Sequence, residues 1–122
     1  SKVDTVEHAI YMTKEQAGLM AEKGIAVIPT TSIYRLLSEK PELFGIPQFI
    51  QENAKYACEA QLKSVKYALD EGVLIGYGTD IYADMKLAEY ARYELETLRD
   101  CGLNTKEALA TGTANAKRIL EI

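Results

Sequence analysis

Histidine is almost missing from this sequence: among 122 residues there is one, His8. The two cysteines, Cys58 and Cys101, lie far apart. A complete zinc site of the usual ligand count therefore cannot be written from this chain alone. Two cysteines also make no disulfide framework, and both are expected to be reduced. Cys58 falls on the apolar stripe of a predicted helix, where a free thiol behaves as a small hydrophobe. Positive charge is in deficit, with 14 Lys and Arg against 18 Asp and Glu and a formal net charge of −4. There is no basic run and no RNA-binding signature, so neither nucleic acid nor an anionic lipid surface is an expected partner. No apolar stretch approaches bilayer length, and no charged-then-apolar leader opens the chain, so the default expectation is a cytoplasmic location with no membrane partner.

What is present is globular: 48% hydrophobic and 26% charged residues, enough for one modest core. Strand-like and helix-like stretches alternate. Val3 to Glu7 is short, β-leaning and ends at His8. Thr13 with Gln16 three residues on is a capping-box pattern, so a helix is predicted there with Ala17, Met20 and Ala21 facing inward and Gly24 as its end. Ile25 to Ile28 is a continuous apolar run suited to a strand covered on both faces. Residues Thr30 to Gln48 make a long connection for a strand-to-helix junction, interrupted by Pro41 and Pro47 but too apolar for a solvated linker. Part of it suits a helix, and on that edge it would serve as a specificity loop or lid.

Phe49 to Leu69 predicts a helix with its stripe at Ile50, Ala54, Cys58, Leu62, Val65 and Leu69. A third strand is predicted over Val73 to Tyr77, running on through Gly78 and Thr79 to Asp80. Asp84 is the expected cap of a helix reaching Arg99, with Leu87, Ala91, Leu95 and Leu98 inward. The last predicted helix starts at Asn104, with Glu107 completing a second capping-box spacing. Its inward positions are Ala108, Gly112, Ala116, Ile119 and Leu120. Alternating strands and helices imply parallel pairing with right-handed crossovers. An ionisable residue just past each of two such strands, His8 and Asp80, then lies at the carboxyl edge of the sheet, where α/β proteins build their sites.

The stretches VDTVEHAIYMT around His8, LMAEKGIAVIPTTSIY from Leu19 to Tyr34 and EGVLIGYGTDIY from Glu71 to Tyr82 resemble the amidohydrolase superfamily. The tail LNTKEALATGTANAKRILEI fits the same pattern, and the branch is that of imidazolonepropionase-like and prolidase-like enzymes. The resemblance implies an α/β fold, part of a (β/α)8 TIM barrel, with about three parallel strands equivalent to barrel strands six to eight. Residues 1–122 would then form a single, incomplete domain. It further implies that His8 is a metal ligand and that Asp80 binds or abuts the metal and acts as general base. The implied cofactor is a divalent metal, zinc by default, and the implied reaction is hydrolysis of an amide-type C–N bond. The small-molecule substrate would be a dipeptide, an N-acyl amino acid or a cyclic amide. The family's H-x-H pair, its carboxylated lysine and its other histidine have no counterpart here. The isolated chain is thus expected to be inactive, and to self-associate or pair with the missing barrel half through exposed apolar surface.

Each residue also has a plainer reading. A lone histidine at a strand end is usually a satisfied polar group, and Asp80 could cap the next segment, although Asp84 is better placed for that. Gly76-x-Gly78 lacks the third glycine of a nucleotide loop, and Gly78 reads as permitting a close backbone approach. Tyr34 and Tyr82 follow strands on the same edge and either line a substrate pocket or are ordinary loop aromatics. Arg35 either meets a substrate carboxylate or is an exposed arginine. Two other functions stay open: a deaminase of the same superfamily, and a non-catalytic flavodoxin-like module that binds a partner through its sheet edges.

Overall fold

Thr13 and Gln16 do close a reciprocal capping box, the Thr13 hydroxyl accepting from the Gln16 amide at 3.2 Å and the Gln16 side chain from the Thr13 amide at 2.9 Å. Helix α1 (Lys14–Lys23) starts there and stops at Gly24, whose φ of 67° is the left-handed turn that favours glycine. These details come from a computed structural model, which describes residues 3–80 and 90–120.

Strand β1 (Thr5–Glu7) precedes α1, and β2 (Ala26–Ile28) follows it and pairs with β1 in parallel, Val6 opposite Val27. Chain order then gives α2 (Thr31–Glu39), a single 3₁₀ turn at Pro41–Leu43, α3 (Gln48–Asp70), α4 (Tyr93–Asp100), α5 (Thr105–Thr111) and α6 (Ala114–Leu120). The architecture is α/β, with α3 packed against both α1 and α2. Val27, Val65, Ala68, Ile75 and Leu98 are buried together at its centre.

The strand predicted over Val73–Tyr77 is present only as a single parallel bridge between Val27 and Ile75. Val27 N donates to Leu74 O and Gly76 N donates to Val27 O, both at 2.9 Å. On the other side of this segment helices take the place of a strand: Tyr77 N donates to Thr111 O at 3.1 Å and Asn115 Nδ2 to Ile75 O at 2.9 Å. Two strands therefore form the regular sheet among the described residues, where three were expected.

Part of the connection after β2 is helical, as expected, and forms α2. Two helix expectations change. The buried line of α3 runs through Ala54, Gln61, Ser64, Val65 and Ala68, so two polar residues occupy its middle and Ile50 is exposed. The last helix is two: Thr111 gives its carbonyl to Tyr77, and the helix breaks at Gly112. Ala108 is buried as expected, but Gly112 and Leu120 are exposed. Asp84 and Leu87 lie outside the described residues. Among the described residues no helix is long and apolar enough to cross a membrane, and Cys58 and Cys101 are free thiols.

Candidate functional site

The corners where the three parallel segments leave the sheet share an uncommon backbone. His8 (φ 66°), Thr30 (φ 52°) and Asp80 (φ 52°) all adopt the left-handed conformation, with Ala9 (φ 47°) beside them. Non-glycine residues take it rarely, and for a β-branched residue such as Thr30 it is strained. Strain of this kind persists where surrounding contacts over-determine it, and it collects at functional sites.

The contacts are present. His8 N donates to Ile28 O at 2.9 Å, continuing the β1–β2 ladder to the corner. Gln61, fully buried on α3, donates to the His8 carbonyl at 2.9 Å and also to the Pro29 carbonyl. Three residues on, Ser64 accepts from Met12 N at 3.0 Å and lies 2.9 Å from Ile10 O, to which it donates. The loop after β1 is thus pinned from α3. The Asp80 corner is fixed by Ser32, whose hydroxyl donates to Thr79 O at 2.9 Å. Close approach of this segment to β2 and to α6 needs its glycines: a Cβ on Gly78 would stand 2.8 Å from Ile28 Cγ2, and one on Gly76 3.2 Å from Ile28 Cγ1 and 2.7 Å from Ile119 Cδ1 of α6.

These corners bring the two predicted residues together. His8 Nε2 stands 3.9 Å from Asp80 Oδ2, with 40% and 58% of the side chains exposed. That gap is too long for a hydrogen bond, and both side chains are accessible to solvent. The other ring nitrogen, His8 Nδ1, lies 2.6 Å from Thr30 Oγ1. An imidazole nitrogen and a carboxylate oxygen suit zinc and related divalent ions, so His8 and Asp80 fit two positions of such a site. Among the described residues no group of three or more His, Cys, Asp or Glu side chains could hold a metal ion. The remaining ligands would have to come from elsewhere.

Tyr34 is half-buried on α2. Arg35 is engaged away from the pair: its guanidinium donates to Glu39 at 3.0 Å, Thr97 at 2.8 Å and Asp100 at 3.2 Å. Burial lowers its pKa, but the two carboxylates outweigh this and hold it above the ordinary value. Tyr82 lies outside the described residues.

Sequence reasoning missed Thr30, Gln61 and Glu94. Glu94 is fully buried beneath the start of α2 and accepts from Ser32 N at 2.7 Å and Thr31 Oγ1 at 3.0 Å. Thr30 makes no capping bond to α2, so Glu94 caps the helix from a distance. Burial raises its carboxyl above the usual carboxylate range despite those bonds. Burial, then the nearby Glu94 charge, raises the Tyr77 phenol. Gln61 had a readable signal, a polar residue four before Val65 on an apolar face.

No family model matches the sequence. The ochratoxinase of Aspergillus niger is 29% identical over 113 residues, which is 92% of this chain and 22% of that protein. Among solved structures, an amidohydrolase superposes with a TM-score of 0.79 at 30% identity, over 98% of this chain and 28% of its own. A prolidase complexed with N-methylphosphonate-L-proline gives 0.79 at 26%, again over 98% and 28%. A Xaa-Pro dipeptidase with methionine bound in its active site gives 0.80 at 25%, over 98% and 29%. Sequence and fold agree: the chain is similar to an amidohydrolase, to prolidases and to ochratoxinase, along a stretch less than a third the length of these relatives.

Proposed function

We propose that this chain supplies barrel strands six to eight of a metal-dependent amidohydrolase that cleaves an amide-type C–N bond in a small molecule. The observation that carries the reading is the His8–Asp80 pair: Nε2 and Oδ2 face each other at 3.9 Å across the ends of parallel segments, in a chain whose relatives are named amide hydrolases. The relatives favour a dipeptide or an N-acyl amino acid as substrate.

His8 would offer an imidazole nitrogen to the metal and Asp80 a carboxylate oxygen. A divalent ion held there, zinc by default, would supply Lewis acidity, easing deprotonation of water to a nucleophile at neutral pH and polarising the scissile carbonyl. The Asp80 carboxylate takes the proton of the attacking water and hands it to the departing amine. Its exposure leaves room for a water and a substrate carbonyl beside it. The left-handed corner holds the carboxylate toward His8, which leaves little orientation to be fixed when substrate arrives.

Two ligands are too few for tight metal binding. The working site then needs the rest of a barrel, joined through the edge of β1 that pairs with no strand among the described residues and the exposed apolar residues near it, Tyr11 and Leu19. The test is hydrolysis of Xaa-Pro dipeptides and N-acyl amino acids by a complete barrel carrying this chain, before and after chelation. Loss of activity on chelation, restoration by zinc and inactivity of Asp80→Asn are expected. Full activity of Asp80→Asn, or indifference to chelator, would overturn the reading.

A further inference from the structure

The Thr30 hydroxyl touches both the histidine ring and its own chain. It lies 2.6 Å from His8 Nδ1 and 2.7 Å from the Pro29 carbonyl oxygen. A hydroxyl has one proton and lone pairs. Two oxygens 2.7 Å apart need a proton between them, and the Pro29 carbonyl, although it also accepts from Gln61, has none to give, so the Thr30 proton goes there and the ring meets an acceptor. Nδ1 must then carry the ring proton, and Nε2 turns an unprotonated lone pair toward Asp80.

We infer that Thr30 is a positioning residue that selects the Nδ1–H tautomer of His8 and so makes Nε2 the free, ligand-competent nitrogen. The inference rests on the proposed ligand role of His8 for its purpose, but not for its test. Free neutral imidazole prefers the opposite tautomer, so the selection has to be imposed. The backbone supports it. Thr30 is β-branched, 5% exposed and left-handed at φ 52°, a position that glycine would fill without strain. What glycine lacks is the hydroxyl. Gln61 holds the backbone on either side of the contact through the His8 and Pro29 carbonyls. Ring and hydroxyl are thus both set before any ligand arrives, as metal-bound histidines are usually set by a partner on their other nitrogen.

The sole histidine makes the test direct. The 122-residue chain labelled with 15N-histidine gives the ring resonances of His8 alone. They are recorded in chelator with the ring neutral, so no metal is involved. Wild type and Thr30→Ser should both show a pyrrole-type Nδ1 and a pyridine-type Nε2. Thr30→Val, with the same shape and no hydroxyl, should shift the ring toward the Nε2–H form. A wild-type ring already in the Nε2–H form, or a mixture like that of free histidine, would overturn the inference. So would a Thr30→Val chain of unchanged circular dichroism that keeps Nδ1–H. Thr30→Gly adds a second measurement: it should be at least as stable as wild type while its ring loses the tautomer bias. A ring held at Nδ1–H in a complete barrel indifferent to metal would fail the functional proposal and leave this one standing.

Discussion

The side-chain amide of Gln61 donates to the carbonyl oxygen of His8 at 2.9 Å, tying the middle of α3 to the corner of β1, fifty-three residues earlier. The same amide reaches Pro29, so one buried side chain holds two of the three left-handed corners. The site's backbone is therefore supported from a helix that contributes nothing to its chemistry.

Gln61→Leu should destabilise the chain by about 1 kcal/mol, because the half-buried His8 carbonyl loses its partner while the buried and unpaired Gln61 Oε1 is removed as well. The His8 carbonyl loses its side-chain partner, whereas Pro29 keeps Thr30. Urea denaturation measures the loss. Hydrogen exchange should locate it at the β1 and β2 corners, leaving the α5–α6 end unaffected.

Gly78→Ala places a methyl 2.8 Å from Ile28 Cγ2, and one of the two must move. Overpacking of this kind typically costs about 1–3 kcal/mol. Because Gly78 lies two residues before Asp80, the shift should also widen the His8–Asp80 gap. Ile28→Leu has no Cγ2 and should recover part of the lost stability in the double variant. An additive double variant would mean that the contact does not set the spacing.

His8 and Asp80 were legible because each directly follows a β-leaning run, and a strand's last residues fall at one edge of a parallel sheet. Thr13 with Gln16, Asn104 with Glu107, and Gly24 were legible because caps are local. What stayed hidden is non-local. The start of α2 offers the cap-type residues Thr30, Thr31 and Ser32, yet Thr30 makes no side-chain cap and the capping acceptor is Glu94, sixty-three residues after Thr31. The break between α5 and α6 follows from Thr111 giving its carbonyl to Tyr77, a contact across the core. The third strand reads as well as the second, yet it makes only one bridge, and on its outer side it meets α5 and α6 and no further strand among the described residues. Thr30 carries no hint of its left-handed backbone, since propensity argues against it there.

Cys101 should resist modification. Burial pushes its thiol up to about 11 from an ordinary 9.0, so it is nearly all protonated at mildly alkaline pH. The thiolate is the nucleophile, and two pKa units reduce its population about a hundredfold. Cys58 is raised less and is half-buried. Limited maleimide labelling of the folded chain, read by peptide mass mapping, should therefore mark Cys58 first. Cys101 should react only at denaturant concentrations that unfold α4.

Glu94 makes stability depend on pH in the direction opposite to an ordinary ion-paired carboxylate. Its pKa is raised in the folded chain, chiefly by burial, with the Ser32 and Thr31 bonds pulling the other way. Between the unfolded and folded pKa values the folded state holds the proton more tightly, so stability falls as pH rises through that window. The contribution is fully present below the unfolded pKa and is lost as pH passes the folded one. Glu94→Gln keeps an acceptor for Ser32 and Thr31 and cannot ionise. The variant should show a flatter thermal-midpoint profile from the ordinary carboxylate range upward, with its largest advantage over wild type at the high-pH end. A wild-type midpoint that rises across this window, with the variant parallel to it, would mean that Glu94 is ionised throughout and that its bonds to Ser32 and Thr31 outweigh its burial.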